Sequence, residues 1–164
     1  MSGEGCRQYE QRFGDNWLEL IRGVIRLGGH FTRLDVAVDD LSGYFTIDMV
    51  KDKVCSGEVR TVFKGAGLNN SYKFGKDKGS MVDGQTVYFG SKHSELRIRF
   101  YDKALEQGVD YFWNRIEVQS RNDRSQMIAV MLMGGTSLGN IVFGILKRYV
   151  NFVEKDDGDS NRSR

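Results

Sequence analysis

The chain has 164 residues, with 24 lysines and arginines against 22 aspartates and glutamates, two cysteines and no proline. This length fits one domain, and a net charge of +2 is too small to indicate a nucleic-acid partner by itself. The longest apolar run, over 127–133, is too short to cross a bilayer, and the N-terminus lacks the apolar segment of a secretory signal, so we expect no membrane association. Cys6 and Cys55 match neither a zinc spacing nor a disulfide framework, which favours a cytoplasmic protein.

Apolar periodicity and helix-capping residues predict the elements in chain order. They are a helix over 16–28, a strand over 31–40, a helix over 46–55 capped by Thr46, strands over 59–64, 85–91, 95–103 and 112–121, and helices over 122–134 and 137–153. The glycine- and asparagine-rich stretch 65–84 predicts short strands around Tyr72 and a turn at Asp83-Gly84. This order is typical of an α+β fold, in which helices pack on one face of an antiparallel β-sheet and leave a catalytic face exposed.

Three of the predicted strands carry polar residues on the side opposite their apolar residues. Those polar sides hold Arg33, Asp35 and Asp39 on the first strand, Arg97, Arg99, Tyr101 and Lys103 on the second, and Arg115, Glu117, Gln119 and Arg121 on the third. If the three strands are neighbours, one face of the sheet combines carboxylates from two strands with a tyrosine flanked by cations.

These residue types match phosphoryl transfer on DNA or RNA. Two carboxylates with water form a reasonable octahedral site for Mg²⁺ or Mn²⁺. Zinc is disfavoured because the chain has only two histidines, His30 and His93, and neither lies in an alternating strand. Cations two residues from Tyr101 would bind a phosphodiester and stabilise charge on its oxygens. A tyrosine hydroxyl, with an ordinary pKa of about 10, needs a metal ion or nearby cations to become a nucleophile.

A structural role accounts for the same residues. Polar side chains on the solvent side of an antiparallel strand are the usual pattern, and Asp39 with Asp40 could end a strand and begin a turn. Arg115 and Glu117 could pair with charges on a neighbouring strand. The residues alone leave both interpretations open.

Several strings, in order along nearly the whole chain, resemble those of the replication initiation factor family, which includes rolling-circle plasmid initiators and relaxases of integrative conjugative elements. The strings are SGEGCRQYE over 2–10, FTRLDVAVDD over 31–40, VYFGSK over 87–92, RIRFYDK over 97–103 and NRIEVQ over 114–119. The resemblance implies a DNA strand-transferase in which a tyrosine cleaves one strand, leaving a 5′-phosphotyrosine intermediate and a free 3′-hydroxyl.

The resemblance also implies individual roles. The tyrosine in the string over 97–103 is Tyr101, and the acidic ligands of Mg²⁺ or Mn²⁺ would be Asp35 and Glu117, with Asp39 as a third candidate. The remaining expected site residues are Arg99 and Lys103 for catalysis, and Arg33, Lys92, Arg97 and Arg115 for DNA binding. The His-hydrophobe-His metal motif of many rolling-circle nucleases is absent from the sequence, so the resemblance is to a branch with acidic ligands.

The implied substrate is origin DNA, single-stranded or extruded, for plasmid replication or conjugative transfer. A host helicase and a homodimer are candidate partners that the residues do not reveal. We expect a catalytic domain over 1–153, shorter at both ends than in relatives, and a charged, flexible tail over 154–164. The alternatives are a metal-dependent nuclease that uses water as the nucleophile, and a nucleic-acid-binding domain without catalysis.

Overall fold

The computed structural model of the chain describes residues 3–75 and 79–154, with side chains for all of these except 73–75 and 79–83. Apart from Glu154, the tail predicted over 154–164 lies outside the described residues. The helices are α1 (Gly3–Phe13), α2 (Trp17–Arg26), α3 (Ile47–Cys55), α4 (Lys103–Gln107), α5 (Asp123–Met133) and α6 (Leu138–Tyr149). The strands are β1 (Arg33–Asp40), β2 (Val59–Thr61), β3 (Ala66–Gly75), β4 (Gly79–Phe89), β5 (Leu96–Asp102), β6 (Asn114–Arg121) and β7 (Val150–Phe152).

Five of the strands form one antiparallel sheet in the order β1-β6-β5-β4-β3, and β2 pairs with β7 in a second, two-stranded sheet. The apolar residues of β1, β6, β5 and β4 lie opposite one another, as in the row Val36, Val118, Ile98 and Phe89. Helices cover this face and exclude water from it. The core residues are Ile21, Val36, Ile47, Val50, Val87, Phe89, Leu96, Ile98, Phe100, Val118, Ile128, Ala129, Leu132, Ile141, Val142 and Val150. The predicted α+β class and its one-sided helical layer are confirmed.

Local side-chain bonds fix where several elements begin. The Thr46 hydroxyl accepts a hydrogen bond from the Met49 N–H at the start of α3, as predicted, and the Ser137 hydroxyl does the same for Asn140 at the start of α6. At the end of β1, the Asp40 carboxylate accepts the N–H groups of Ser42, Gly43 and Phe45. Asp40 therefore closes the turn that leads from the sheet into α3.

Two sequence predictions are wrong in detail. The turn expected at Asp83-Gly84 does not form, because both residues lie within β4, which pairs with β3 over the full length of both strands. The last helix ends at Tyr149 rather than at 153, because residues 150–152 pair with β2 as strand β7.

Further differences are smaller. The strand predicted over 59–64 ends at Thr61, and the strand predicted over 95–103 ends at Asp102, so that Lys103 begins helix α4 instead of lying on the strand. Neither α1 nor α4 is predicted from the sequence.

None of the helices over the described part of the chain is long and apolar enough to cross a membrane.

Candidate functional site

Antiparallel pairing arranges the polar residues of the large sheet in rows across the strands. One row contains Asn69, Thr86, Tyr101, Arg115 and Asp39. The next row contains Gly67, Tyr88, Arg99, Glu117 and Ala37. A third row contains Arg97, Gln119 and Asp35. The three charged strands are therefore neighbours, and their polar sides share one face, as the alternation predicted.

Tyr101 lies near the centre of this face, on β5, between β4 and β6. Its hydroxyl donates a hydrogen bond to Oε2 of Glu117 at 3.1 Å. The Arg99 guanidinium lies 4.7 Å from the centre of the tyrosine ring, and Nζ of Lys103 lies 5.8 Å from it. Tyr101 is only 4% exposed, although it lies on the polar face, because long charged side chains surround its ring. The nucleophile candidate is thus held in one orientation with its hydroxyl on a carboxylate.

This environment raises the pKa of the Tyr101 hydroxyl. Burial is the main cause, the negative charge of Glu117 adds to it, and the positive charge of Arg115 opposes it. The phenol is therefore protonated at neutral pH. Glu117 Oε2 is the atom placed to accept that proton when the oxygen reacts.

The Glu117 carboxylate bonds three different side chains of this face, those of Tyr101, Arg99 and Gln119. Its Oε1 accepts hydrogen bonds from Nη1 of Arg99 at 3.1 Å and from Nε2 of Gln119 at 2.9 Å. Its partner on β1 is Ala37, whose side chain is a single methyl group. Ala37 therefore leaves room beside the carboxylate for a substrate oxygen or an ion.

Two of the three aspartates of β1, Asp35 and Asp39, are each paired with an arginine. Asp35 accepts hydrogen bonds from Nε and Nη2 of Arg33, at 3.1 and 2.6 Å. Asp39 accepts two hydrogen bonds from Arg115, from Nε at 2.6 Å and from Nη2 at 2.8 Å. Burial alone would raise the pKa of Asp39, but these bonds outweigh it and lower the pKa, and they raise the pKa of Arg115.

The fit of a divalent cation rests on these carboxylates. Asp35 and Glu117 are diagonal neighbours across β1 and β6, and their oxygens are of the kind that Mg²⁺ and Mn²⁺ prefer. Among the residues that the structure describes, no group of three or more His, Cys, Asp and Glu side chains could hold a metal ion. An ion at Asp35 and Glu117 would therefore need water or DNA oxygens to complete its ligands.

The expected DNA-binding residues divide into two groups. Arg33 and Arg115 are engaged with aspartates, whereas Arg97 and Lys92 line a pocket of about 280 Å³ at the β4–β5 side of Tyr101. The pocket also contains Asn69, Thr86, Tyr88 and Arg99. Sequence reasoning missed Asn69 because the long strand β3 was not predicted. Thr86 and Tyr88 lie in the strand predicted over 85–91, but they were not assigned to the site. Period-two alternation through the buried Phe89 would have placed Tyr88 on the polar face.

The family model described as replication initiation factor matches residues 29–164, most of the chain. The chain belongs to this family. It is 34% identical over 168 aligned positions to the protein of Bacillus subtilis (strain 168) named "Putative DNA relaxase NicK", covering 96% of this chain and 47% of that protein.

The fold is similar to that of a solved rolling circle replication initiator protein from Geobacillus stearothermophilus. The TM-score is 0.85 at 37% identity, and the match covers 98% of this chain and 61% of the initiator. The chain thus spans about half the length of the curated relative and about three fifths of the solved one. Membership of the family is consistent with the resemblance found in the sequence.

Proposed function

We propose that this chain carries the nicking and joining centre of a DNA strand-transferase that acts at a replication or transfer origin. The observation that carries the proposal is the hydrogen bond from the Tyr101 hydroxyl to Glu117, on a sheet face that also holds Arg99, with Lys103 beside the ring at the start of α4. A buried tyrosine bound to a carboxylate and flanked by cations has the parts required of an activated nucleophile.

The proposed reaction is a transesterification. The Tyr101 oxygen attacks the phosphorus of one DNA phosphodiester, Glu117 Oε2 takes the phenol proton, and the bond from phosphorus to the 3′-oxygen breaks. The 3′-oxygen leaves and takes up the proton that Glu117 accepted, while the 5′-phosphate stays on Tyr101. One phosphodiester replaces another, so the reverse reaction can reseal the strand without ATP.

The cations beside Tyr101 would stabilise the charge that develops during this exchange. Arg99 already lies against both the ring of Tyr101 and the carboxylate of Glu117, so its position is fixed before substrate binds. Mg²⁺ or Mn²⁺ held by Asp35 and Glu117, when bound, would polarise the scissile phosphate. Because Tyr101 is buried on the sheet face, the scissile phosphate must approach the sheet closely to reach its hydroxyl. This requirement favours single-stranded or extruded DNA.

A denaturing gel tests the proposal directly. The protein is mixed with Mn²⁺ and a labelled single-stranded oligonucleotide from the origin of the element that encodes it. We expect a covalent protein–DNA band with the wild-type chain and none with Tyr101→Phe. Tyr44→Phe is the matched control, because Tyr44 is 87% exposed in the loop after β1, and it should leave the band unchanged.

The same gel separates the two alternatives. A nuclease that uses water would shorten the oligonucleotide without forming a covalent band. A binding domain without catalysis would leave the DNA intact, and its affinity for DNA would survive Asp35→Ala and Glu117→Ala. An adduct that persists in Tyr101→Phe would show that another residue is the nucleophile.

A further inference from the structure

A second cationic feature lies beside the Tyr101 site, where β3, β4 and β5 form the pocket of about 280 Å³. Thr86, in the wall of the pocket, is the direct cross-strand partner of Tyr101. The pocket is therefore directly beside the nucleophile candidate, with Thr86 on the adjacent strand β4. Its volume lies close to the lower end of the range of about 300–1,000 Å³ that small-ligand sites occupy, which suits a single nucleotide better than a larger group.

Arg97 in this pocket differs from the other arginines near Tyr101. Arg33, Arg99 and Arg115 are each paired with a carboxylate. Within 3–75 and 79–154, Arg97 forms no ion pair, and its buried Nε has no hydrogen-bond acceptor. The guanidinium thus lacks the charge-assisted bonds that its neighbours make, and a bound anion at the pocket would supply them.

The surroundings of Arg97 make that requirement stronger. Burial lowers its pKa, and the positive charges of Arg99 and Arg121 lower it further. Its guanidinium stacks on the Tyr88 ring, 4.3 Å from the ring centre, which fixes the plane of the donors. Lys92 supplies a further cation at the rim.

Gly67 explains how Tyr88 reaches this position. A Cβ atom at Gly67 would lie 2.5 Å from two carbon atoms of the Tyr88 ring, far inside van der Waals contact. The ring therefore lies over the glycine backbone of β3 and supports Arg97 from below. Any side chain at this position would displace the ring.

We propose that this pocket is a binding subsite for one nucleotide of the DNA strand next to the scissile position, with the phosphate of that nucleotide held by Arg97 and Lys92. The inference rests on the proposed function, because it is that function which brings a DNA strand to this face. A phosphodiester supplies the negative charge with which Arg97 forms no ion pair among the described residues. Asn69 and Thr86 face the same space with groups that can bond a sugar or a base edge.

The test measures non-covalent binding in a Tyr101→Phe background, so that it does not depend on strand cleavage. Fluorescence anisotropy with a labelled single-stranded origin oligonucleotide is recorded over a range of salt concentrations. We expect Arg97→Gln to weaken binding about tenfold and to reduce the slope of log K against log salt by about 0.7, the value for one phosphate contact on a single strand.

Two further variants control the result. Arg26→Gln removes an exposed arginine from α2, in the helical layer, and should change neither the affinity nor the slope. Gly67→Ala keeps every charge but displaces Tyr88, and we expect it to weaken binding as well. Equal effects of Arg97→Gln and Arg26→Gln would overturn the proposal.

Neutral linkages identify the contacted phosphate. Single methylphosphonates are placed in turn along the oligonucleotide, and one linkage beside the nick should weaken binding to the Arg97 protein while leaving Arg97→Gln unaffected. An equal loss of binding at every methylphosphonate position would overturn the subsite. A free deoxynucleoside monophosphate that binds at Arg97 but does not compete with the oligonucleotide would overturn it as well. If the wild-type chain forms no covalent adduct, the proposed function fails, while the binding data still decide whether Arg97 contacts one phosphate.

Discussion

Tyr101 and Glu117 share a hydrogen bond, and the charge of the carboxylate acts on the phenol. The 3.1 Å contact holds the phenol proton between a buried ring and a carboxylate that also bonds Arg99. Burial and the charge of Glu117 both keep the phenol protonated. The arrangement therefore favours orientation of the hydroxyl in the resting protein over early ionisation, and in the proposed reaction the proton would leave only as the oxygen attacks.

Replacing Glu117 should lower the pKa of Tyr101. Glu117→Gln removes the negative charge that disfavours the tyrosinate, but burial remains, so we expect the pKa to fall while staying above its ordinary value. Titration of the ¹³Cζ resonance that is lost in Tyr101→Phe measures the change. Glu19→Gln on α2 is the control. An unchanged or higher pKa in Glu117→Gln would show that the carboxylate charge does not act on the phenol.

Asp40 gives a pH-dependent contribution to stability. Burial by itself would raise its pKa, but the N–H groups of Ser42, Phe45 and Gly43 outweigh burial and lower it. Because the folded pKa lies below the unfolded value of about 3.9, the stabilisation is present above that pH and is lost as the pH falls through the folded value.

We expect Asp40→Asn to reduce the free energy of unfolding at pH 7 by about 1 kcal/mol, since a charge-assisted acceptor is replaced by a neutral one. The difference from wild type should shrink as the pH falls and the Asp40 carboxylate takes up a proton. Urea denaturation at pH 7, 4 and 2 measures this. Asp110→Asn, in the exposed loop before β6, is the control, and a constant difference at all three pH values would contradict the argument.

At the scale of elements, Thr46 illustrates a local signal that sequence alone supplies. Its hydroxyl accepts the Met49 N–H at 3.1 Å and satisfies one of the free donors of the first turn of α3. We expect Thr46→Ala to lower the free energy of unfolding by about 1 kcal/mol, measured by urea denaturation. Thr46→Ser keeps the acceptor and should retain most of the stability, so an equal loss in both variants would exclude capping as the cause.

The elements that could be predicted are those whose burial is one-sided. β1, β5 and β6 each have one face on the helices and one polar face, and this produces the alternation visible in the sequence. Antiparallel pairing then made the grouping of Asp35, Tyr101 and Glu117 on one face predictable. The burial of Tyr101 was not predictable, because it depends on how the side chains of Arg99 and Lys103 lie across its ring.

The elements that were missed lack such a local signal. The hairpin of β3 and β4 is rich in Gly, Asn, Lys and Ser, residues that usually mark loops, and its pairing with β5 maintains it as a sheet. Strand β7 continues the apolar spacing of α6 and becomes a strand by pairing with β2, 89 or more residues earlier in the chain. Tertiary contacts of this kind decide structure where the local sequence is ambiguous.

At the scale of the whole molecule, the distribution of charge matters more than the net charge of +2. The polar face carries arginines on three adjacent strands, and most of them are paired with carboxylates of the same face. These pairs hold the arginines in position, and they also reduce the positive charge that is available to DNA phosphates.

This balance predicts that removing one carboxylate strengthens non-covalent DNA binding. Asp39→Asn removes the negative charge of the partner of Arg115. The Arg115 Nε and Nη2 donors, which bond Asp39 at 2.6 and 2.8 Å, then become available to a phosphate. Measured in the Tyr101→Phe background, we expect the affinity for single-stranded DNA to rise several-fold and the slope of log K against log salt to steepen by about 0.7. Asp15→Asn, which makes the same change of charge in the exposed segment between α1 and α2, should leave the slope unchanged. Weaker binding by Asp39→Asn would instead mean that Asp39 must hold Arg115 in position for DNA to bind, and that ordered pairs on this face outweigh its total charge.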